Sequence, residues 1–237
     1  MLRLFKKTDL LSKLEKKRVA CLKYNLSDAI KDNLLKPIPD RNTPFRALSF
    51  LVVDFETTGF EPEKSDILSI GWVEMSNMQI DFGSQKHFYI NNDKHITHET
   101  AVINHIVPQM VSHGISLEEA IDILLFHAKD KILVVHGKMI EKSFLDFYAQ
   151  KKLGMPELPL IWIDTLRIEE WREVKLKAQI DPDIRLSSVR KRYNLPQYNA
   201  HNALIDSVSA AELLLAQVAT IYRDRKVTFE SLYKISQ

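Results

Sequence analysis

The stretch that most constrains this chain is the apolar run at residues 48–53 together with the two acids it delivers, Asp54 and Glu56. Phe50, Leu51, Val52 and Val53 are apolar at both parities, the signature of a strand in a sheet covered on both faces. Side chains alternate along a strand, so Asp54 and Glu56 share one face while Phe55 enters the opposite layer. Two carboxylates at the exit of such a strand cost stability unless something offsets them. Hard divalent ions such as Mg²⁺ or Mn²⁺ prefer oxygen ligands and would do so. Taken alone, the hexapeptide Asp-Phe-Glu-Thr-Thr-Gly leaves two readings open: a metal-binding pair, or two solvated acids ahead of a turn.

With 237 residues, 45% of them hydrophobic and 27% charged, the chain can bury one full core and still carry an appendage. No apolar run approaches the ~20 residues a membrane helix needs, and the first residues lack the apolar centre of a signal peptide, so a cytoplasmic protein without membrane contact is expected. The single cysteine, Cys21, excludes an internal disulfide and a cysteine-based zinc cluster. The formal charge of +2 hides an asymmetry, because residues 1–46 carry twelve basic side chains against five acids and the remainder 21 against 26.

Residues 8–24 repeat Leu10, Leu11, Leu14, Val19 and Leu22 at roughly helical spacing among lysines, and Ser27 is placed to cap a second short helix through Leu35. This basic amphipathic arm is expected to dock its apolar stripe on the main domain or on a partner, with its lysines solvated or facing a polyanion. Pro37, Pro39 and Pro44 break any further helix, which puts a domain boundary between an extension at 1–46 and a main domain at 47–237. Residues 67–75 and 86–90 read as strands, residues 99–111 as a helix interrupted by Pro108, and Ser116 as the cap of a helix to about Ala128. Strands at 131–135 and 160–164 alternate with helices at 138–152 and from about Leu166, Leu186 and Ala203. The expected class is α/β, a mixed sheet flanked by helices, with an N-terminal basic helical extension.

Two later stretches bring further acids. In Val134-Val135-His136-Gly137-Lys138-Met139-Ile140-Glu141, a strand turns into a helix whose first turn holds Glu141, where the helix dipole alone would favour an acid. In His201-Asn202-Ala203-Leu204-Ile205-Asp206, the two titratable residues are five apart, ~140° out of register on one helix. His201 therefore belongs to the approaching loop and Asp206 to the first turns. Singly, these residues read as a surface histidine and an exposed helical acid.

In combination, Asp-x-Glu-Thr-Thr-Gly, then strand-His-Gly-x-x-x-acid with Phe144 and Leu145 following, then His-x-Ala-Leu-x-Asp, resemble the DnaQ-like 3′ to 5′ exonucleases of the DEDDh type. That family includes the proofreading subunit of bacterial DNA polymerase III, RNase T and oligoribonuclease. The resemblance covers residues 48 to about 220, and takes in Asp164-Thr165-Leu166 and residues 186–195. It implies a ribonuclease H-like sheet and a site in which Asp54, Glu56, Glu141 and Asp206 hold two divalent ions, Mg²⁺ or Mn²⁺, with Asp54 as the bridge and His201 as general base. One departure stands out: where the family carries Asn-x-x-Phe-Asp, this chain has Gly137, Ile140 and Glu141.

The expected reaction is metal-dependent removal of nucleoside 5′-monophosphates from nucleic-acid 3′ ends. Single-stranded DNA is expected ahead of RNA, in replication proofreading or repair. The alternatives are an exoribonuclease of RNA processing and a weakly active nucleic-acid-binding or polymerase-associated module. Thr57, Thr58 and Gly59 are expected to present backbone and hydroxyl groups to the terminal nucleotide, with Phe60 either stacking on its base or entering the core. His105 reads as structural rather than substrate-binding, and Arg185, Arg190, Lys191 and Arg192 as a solvated helix face ahead of a contact to the phosphate backbone. A DNA polymerase or another protein is the expected partner of the N-terminal extension.

Overall fold

The computed structural model describes residues 9–91, 106–176, 182–223 and 225–237. The sequence readings at His105, and at most of the helix expected over residues 99–111, lie outside the described residues. At the centre of the fold is β1 (Ser49–Thr57), paired antiparallel with β2 (Ile67–Ser76) and parallel with β4 (Ile132–Val135). The outer strands are β3 (Gln79–Tyr89) beside β2 and β5 (Trp162–Asp164) beside β4, giving the order β3-β2-β1-β4-β5. This is the mixed sheet expected.

β3 begins seven residues before the stretch that reads as a strand in the sequence. It is an edge strand whose first half, Gln79 to Gly83, is mostly exposed, so its alternation is only the brief Ile80/Phe82 pair, with Phe82 itself 57% exposed. Its pairing is fixed instead by the turn at Asn77 and Met78, both at positive φ (49° and 61°), which closes a two-residue hairpin.

The double-sided apolar run of β1 divides by parity. Leu51, Val53 and Phe55 join one core layer, beneath α2 (Asp28–Leu35), α4 (Leu117–His127) and α5 (Met139–Leu153). Phe50 and Val52 join the other, beneath α8 (Ala203–Tyr222) and α9 (Phe229–Ile235). A short α3 (Pro108–Ser112) precedes α4, whose start is capped by Ser116 accepting from the Glu119 amide at 3.1 Å. Between β5 and α8 lie α6 (Thr165–Leu176) and α7 (Leu186–Arg192).

α8 is, by length and composition, apolar enough to cross a membrane, although Asp206 and Glu212 interrupt it, so it is not an unbroken apolar run of the kind a membrane helix needs. Its apolar residues, among them Val208, Ala211, Leu214 and Val218, pack on the sheet, so its hydropathy is that of a core helix.

The arm packs into the same cores. α1 (Leu10–Cys21) contributes Leu11 and Cys21, and α2 contributes Ile30 and Leu34. Arg18 is 3% exposed and donates to the backbone carbonyls of Pro159, Asn33 and Lys36. Ser27 precedes α2 but does not cap it; its hydroxyl meets Asp122 at 3.2 Å. The proline-rich segment is pinned to α9, which was not read in the sequence. Arg41 pairs with Asp9 and Glu230, and the Phe45 amide donates to Val227 at 3.0 Å. α9 itself starts with a Thr228/Ser231 capping box.

Candidate active site

Parity along β1 puts Asp54 and Glu56 on the face of Phe50 and Val52, the face that α8 covers. α8 begins directly over this point. Asp54 pairs across the strands with Gly71 on β2, and a Cβ built on Gly71 would lie 2.2 Å from the Leu204 amide nitrogen and 2.3 Å from the Ala203 carbonyl carbon. Only glycine lets the helix start this close to the sheet. The approach brings Asp206, in the first turn, to the strand: carboxylate oxygens of Asp54, Glu56 and Asp206 all lie within 4.8 Å of one another.

His201 lies on the loop before α8, exposed and at a φ of 67°. Its amide donates to Asp206 Oδ2 at 2.9 Å and that of Asn202 at 3.3 Å, while the Asn202 side chain caps the helix by accepting from Ile205 at 3.1 Å. Asp206 therefore folds the loop back on the helix and sets where His201 sits.

Glu141 reaches the site from the other core layer, in the first turn of α5, where Phe144 and Leu145 anchor the helix. It lies outside the 4.8 Å cluster, is 3% exposed, and its Oε2 is buried without a hydrogen-bond partner among the described residues. The start of α5 is held by Asp164, which ends β5 and accepts from the amides of Gly137 (2.9 Å), Lys138 (3.0 Å) and Leu166 (3.0 Å). Gly137 turns the chain at a φ of 97°, conformational freedom that a side chain would restrict. Gly71 and Asp164 were not singled out from the sequence as site residues. An acid at a strand exit two residues before a helical run was the available signal for Asp164; for Gly71 there was none, since its role depends on cross-strand register.

The carboxylates share one electrostatic condition. Burial, then the charges of Glu141, Asp206 and Glu56, hold the Asp54 carboxyl well above its ordinary range. Burial and then Asp206 push Glu56 up to about 8. Burial also raises Glu141, with Asp164 and Glu56 adding to it and the amides of Phe55 and Glu141 itself opposing. Asp206 is raised by burial against the pull of the Asn202 and His201 amides. Acids crowded out of water, with no lysine or arginine salt-bridged to them among the described residues and one with an orphaned buried oxygen, fit a divalent ion that takes hard oxygen ligands.

The cluster forms one wall of a cleft of about 360 Å³ that Thr57, Thr58, Gly59, Phe60, Ile140 and His201 also line. Phe60 is 81% exposed, which removes the core alternative for it. The threonine hydroxyls help build the loop: Thr57 Oγ1 donates to Gly59 O at 2.8 Å, and Thr58 Oγ1 accepts from the Asp66 amide at 2.9 Å. Two of the α7 arginines depart from a solvated face. Arg190 is 2% exposed, bonded to Ser209 O, Pro196 O and Glu212, and Arg192 reaches the fully buried Glu169. Of the other acids, Glu74 is engaged by His127 and Lys131, and Asp146 by Lys142 and the Leu158 amide.

Comparison with known proteins accords with this geometry. The family described as Exonuclease (RNase_T) matches residues 51–214. The PolC-type DNA polymerase III of Thermotoga maritima is 30% identical over 193 residues, 81% of this chain but 13% of that protein. The 3′-5′ exonuclease DinG of Staphylococcus haemolyticus is 25% identical over 189 residues, 80% of this chain and 20% of that one. The chain thus spans only about a fifth or less of the length of these curated relatives. Among solved structures, exonuclease X in complex with 5′ overhanging duplex DNA shares the fold at a TM-score of 0.59, with 21% identity over 79% of this chain and 99% of that one. The chain belongs to the RNase_T exonuclease family, as the three DnaQ-like motifs led one to expect.

Proposed function

We propose that this chain is a metal-dependent 3′ to 5′ exonuclease that releases nucleoside 5′-monophosphates from DNA 3′ ends, alongside a replicative polymerase or in repair. The observation that carries this reading is the convergence of Asp54, Glu56 and Asp206 within 4.8 Å in one wall of a cleft. The PolC-type and DinG relatives favour DNA and the 3′ to 5′ direction.

Asp54, Glu56, Asp206 and Glu141 would hold divalent ions, Mg²⁺ or Mn²⁺, with Asp54 facing all three other acids. Such ions lower the pKa of water and neutralise charge on the phosphodiester as it is attacked. The chain's own residues do the rest. His201, exposed on its loop, takes the proton of the attacking water, and the Asp206 contact to its amide keeps the ring beside the cleft. Phe60 and Ile140 offer apolar surface for the terminal base, and the Thr57–Gly59 loop borders the sugar and phosphate.

The test uses 5′-labelled single-stranded DNA, matched RNA and a mismatched primer-template with Mg²⁺ or Mn²⁺. The expected result is a ladder of 3′ shortening that chelator abolishes, fastest on single-stranded DNA and on the mismatched end. His201→Ala should lower the rate by roughly 10²- to 10⁴-fold, and Asp54→Asn by at least as much. Full activity in either variant removes the role assigned to that residue, and faster trimming of RNA moves the substrate to RNA.

A further inference from the structure

At the end of the sheet opposite the carboxylates is a second, larger cleft of about 780 Å³. It lies where β1 begins, between the β2–β3 turn and the C-terminal end of α8. Arg46, Arg223, Arg225 and Lys226 line it, all exposed, and no carboxylate belongs to the described residues around it. Its floor is apolar, with Phe45, Met78, Val218 and Val227.

The treatment of arginine elsewhere in the chain sets these cations apart. Arg41, Arg167, Arg172, Arg185, Arg190 and Arg192 each pair with a carboxylate, and Arg18 donates to three carbonyls. The cleft cations differ: among the described residues none of the four makes an ion pair, and their one side-chain hydrogen bond is from Arg225 to the Ile221 carbonyl at 3.2 Å. Among the described residues, three arginines and a lysine without a carboxylate partner converge on this one surface, while the other described arginines are paired or bonded internally. Guanidinium forks match phosphate oxygens in a bidentate way, and an apolar floor between them suits sugars and bases.

We propose that this cleft binds the phosphate backbone of the trailing part of a nucleic acid whose 3′ end lies at the carboxylates. The proposal rests on the exonuclease reading of that site. Asp206 and Arg223 stand at opposite ends of α8, about 25 Å apart at 1.5 Å per residue. At 3.4 Å per stacked nucleotide that distance is about seven nucleotides. A tetranucleotide in the active site therefore falls short of the cleft, and a long strand reaches it.

The experiment measures binding of labelled dT30 and dT4 by fluorescence anisotropy in chelator, where nothing is cleaved, over a series of salt concentrations. The variants are R46E/R225E/K226E, the milder R46Q/R225Q/K226Q, and K13E/K16E/K31E, which makes the same change in net charge on the arm. Hydrolysis of the p-nitrophenyl ester of thymidine 5′-monophosphate with Mn²⁺ reports the active site alone. For the first variant, dT30 binding should weaken at least tenfold, with the slope of log Kd against log salt reduced by about 2, the value for three lost phosphate contacts on a single strand. The glutamine variant should lie between it and wild type, while dT4 binding and ester hydrolysis stay within twofold. Unchanged dT30 affinity and slope would overturn the proposal, and would leave the cleft to an acidic protein segment. Equal losses in the arm variant, or on dT4, would also overturn it. If wild type hydrolysed neither ester nor DNA yet kept the cleft-dependent binding of dT30, the exonuclease reading would fall while the phosphate contact stood.

Discussion

Glu141 and Glu56, like Asp54, are in conflict with their surroundings. Both carboxyls are pushed up to about 8 from an ordinary 4.5, chiefly by burial, and Glu141 has an oxygen that nothing satisfies. Each binds its proton more tightly in the folded chain than in the unfolded one. Between pH 4.5 and about 8 the metal-free folded state thus holds more protons, so its stability falls as pH rises through that window. Thermal melts in chelator should show a falling Tm from pH 5 to 8, and Mn²⁺ should raise Tm more at pH 8 than at pH 5. Glu141→Gln removes one charge without changing shape. Its metal-free Tm at pH 8 should exceed wild type by roughly 4 °C or more, while exonuclease rate drops at least about tenfold. A variant with wild-type stability at pH 8 and wild-type rate would make Glu141 an ordinary helix-start acid, and the departure from the family's aspartate would then carry no chemistry.

At the scale of elements, the site depends on one helix starting close to one strand. Much of that was legible in the chain: the parity of β1 puts Asp54 and Glu56 on one face, and the five-residue spacing sends His201 to a loop and Asp206 into a helix. Two supports were not. Gly71 matters only because register sets it opposite Asp54, under the first residues of α8, and neither register nor helix approach is encoded locally. Asp164 holds the start of α5 from a strand 23 residues beyond Glu141, a tertiary contact with no periodic signature. β3 was truncated in the sequence reading for a related reason, since the exposed half of an edge strand carries only the brief Ile80/Phe82 alternation and its pairing is set by the hairpin turn. A Gly71→Ala substitution tests the packing argument. Its Cβ would meet backbone rather than a side chain that can turn aside, so α8 must shift, at a cost of about 1 to 3 kcal/mol. Because the displaced turn carries Asp206, activity should fall more than tenfold and need more Mn²⁺ for half-maximal rate. Lowered stability with an unchanged Mn²⁺ requirement would show that α8 tolerates the shift without moving Asp206.

At the scale of the molecule, the charge asymmetry leaves the arm's cations solvated or facing a polyanion, but the fold engages several of those charges internally. Arg18 is buried on three carbonyls, Lys17 meets Glu157 at 2.6 Å, Lys36 meets Asp130 at 3.2 Å, and Arg41 ties Asp9 to Glu230. Most of those partners lie about a hundred residues or more away, out of reach of any local pattern. Meanwhile four cations without an ion pair among the described residues gather in the far cleft, where only Arg46 comes from the basic segment. The arm thus contributes to the fold through Cys21, Ile30 and Leu34 in one core layer and Leu11 in the other. Arg18 is the sharpest test of that role, because its guanidinium is the donor to carbonyls from α2, from the segment after it and from the approach to β5. Arg18→Met keeps much of the side-chain volume but leaves those buried acceptors without it, at roughly 2 to 4 kcal/mol. Urea denaturation should register that loss. Exonuclease rate at 20 °C should stay within about twofold of wild type, because Arg18 packs near the beginning of β5, away from the carboxylates at the exit of β1. Wild-type stability in this variant would mean the arm rests on the domain without holding it together.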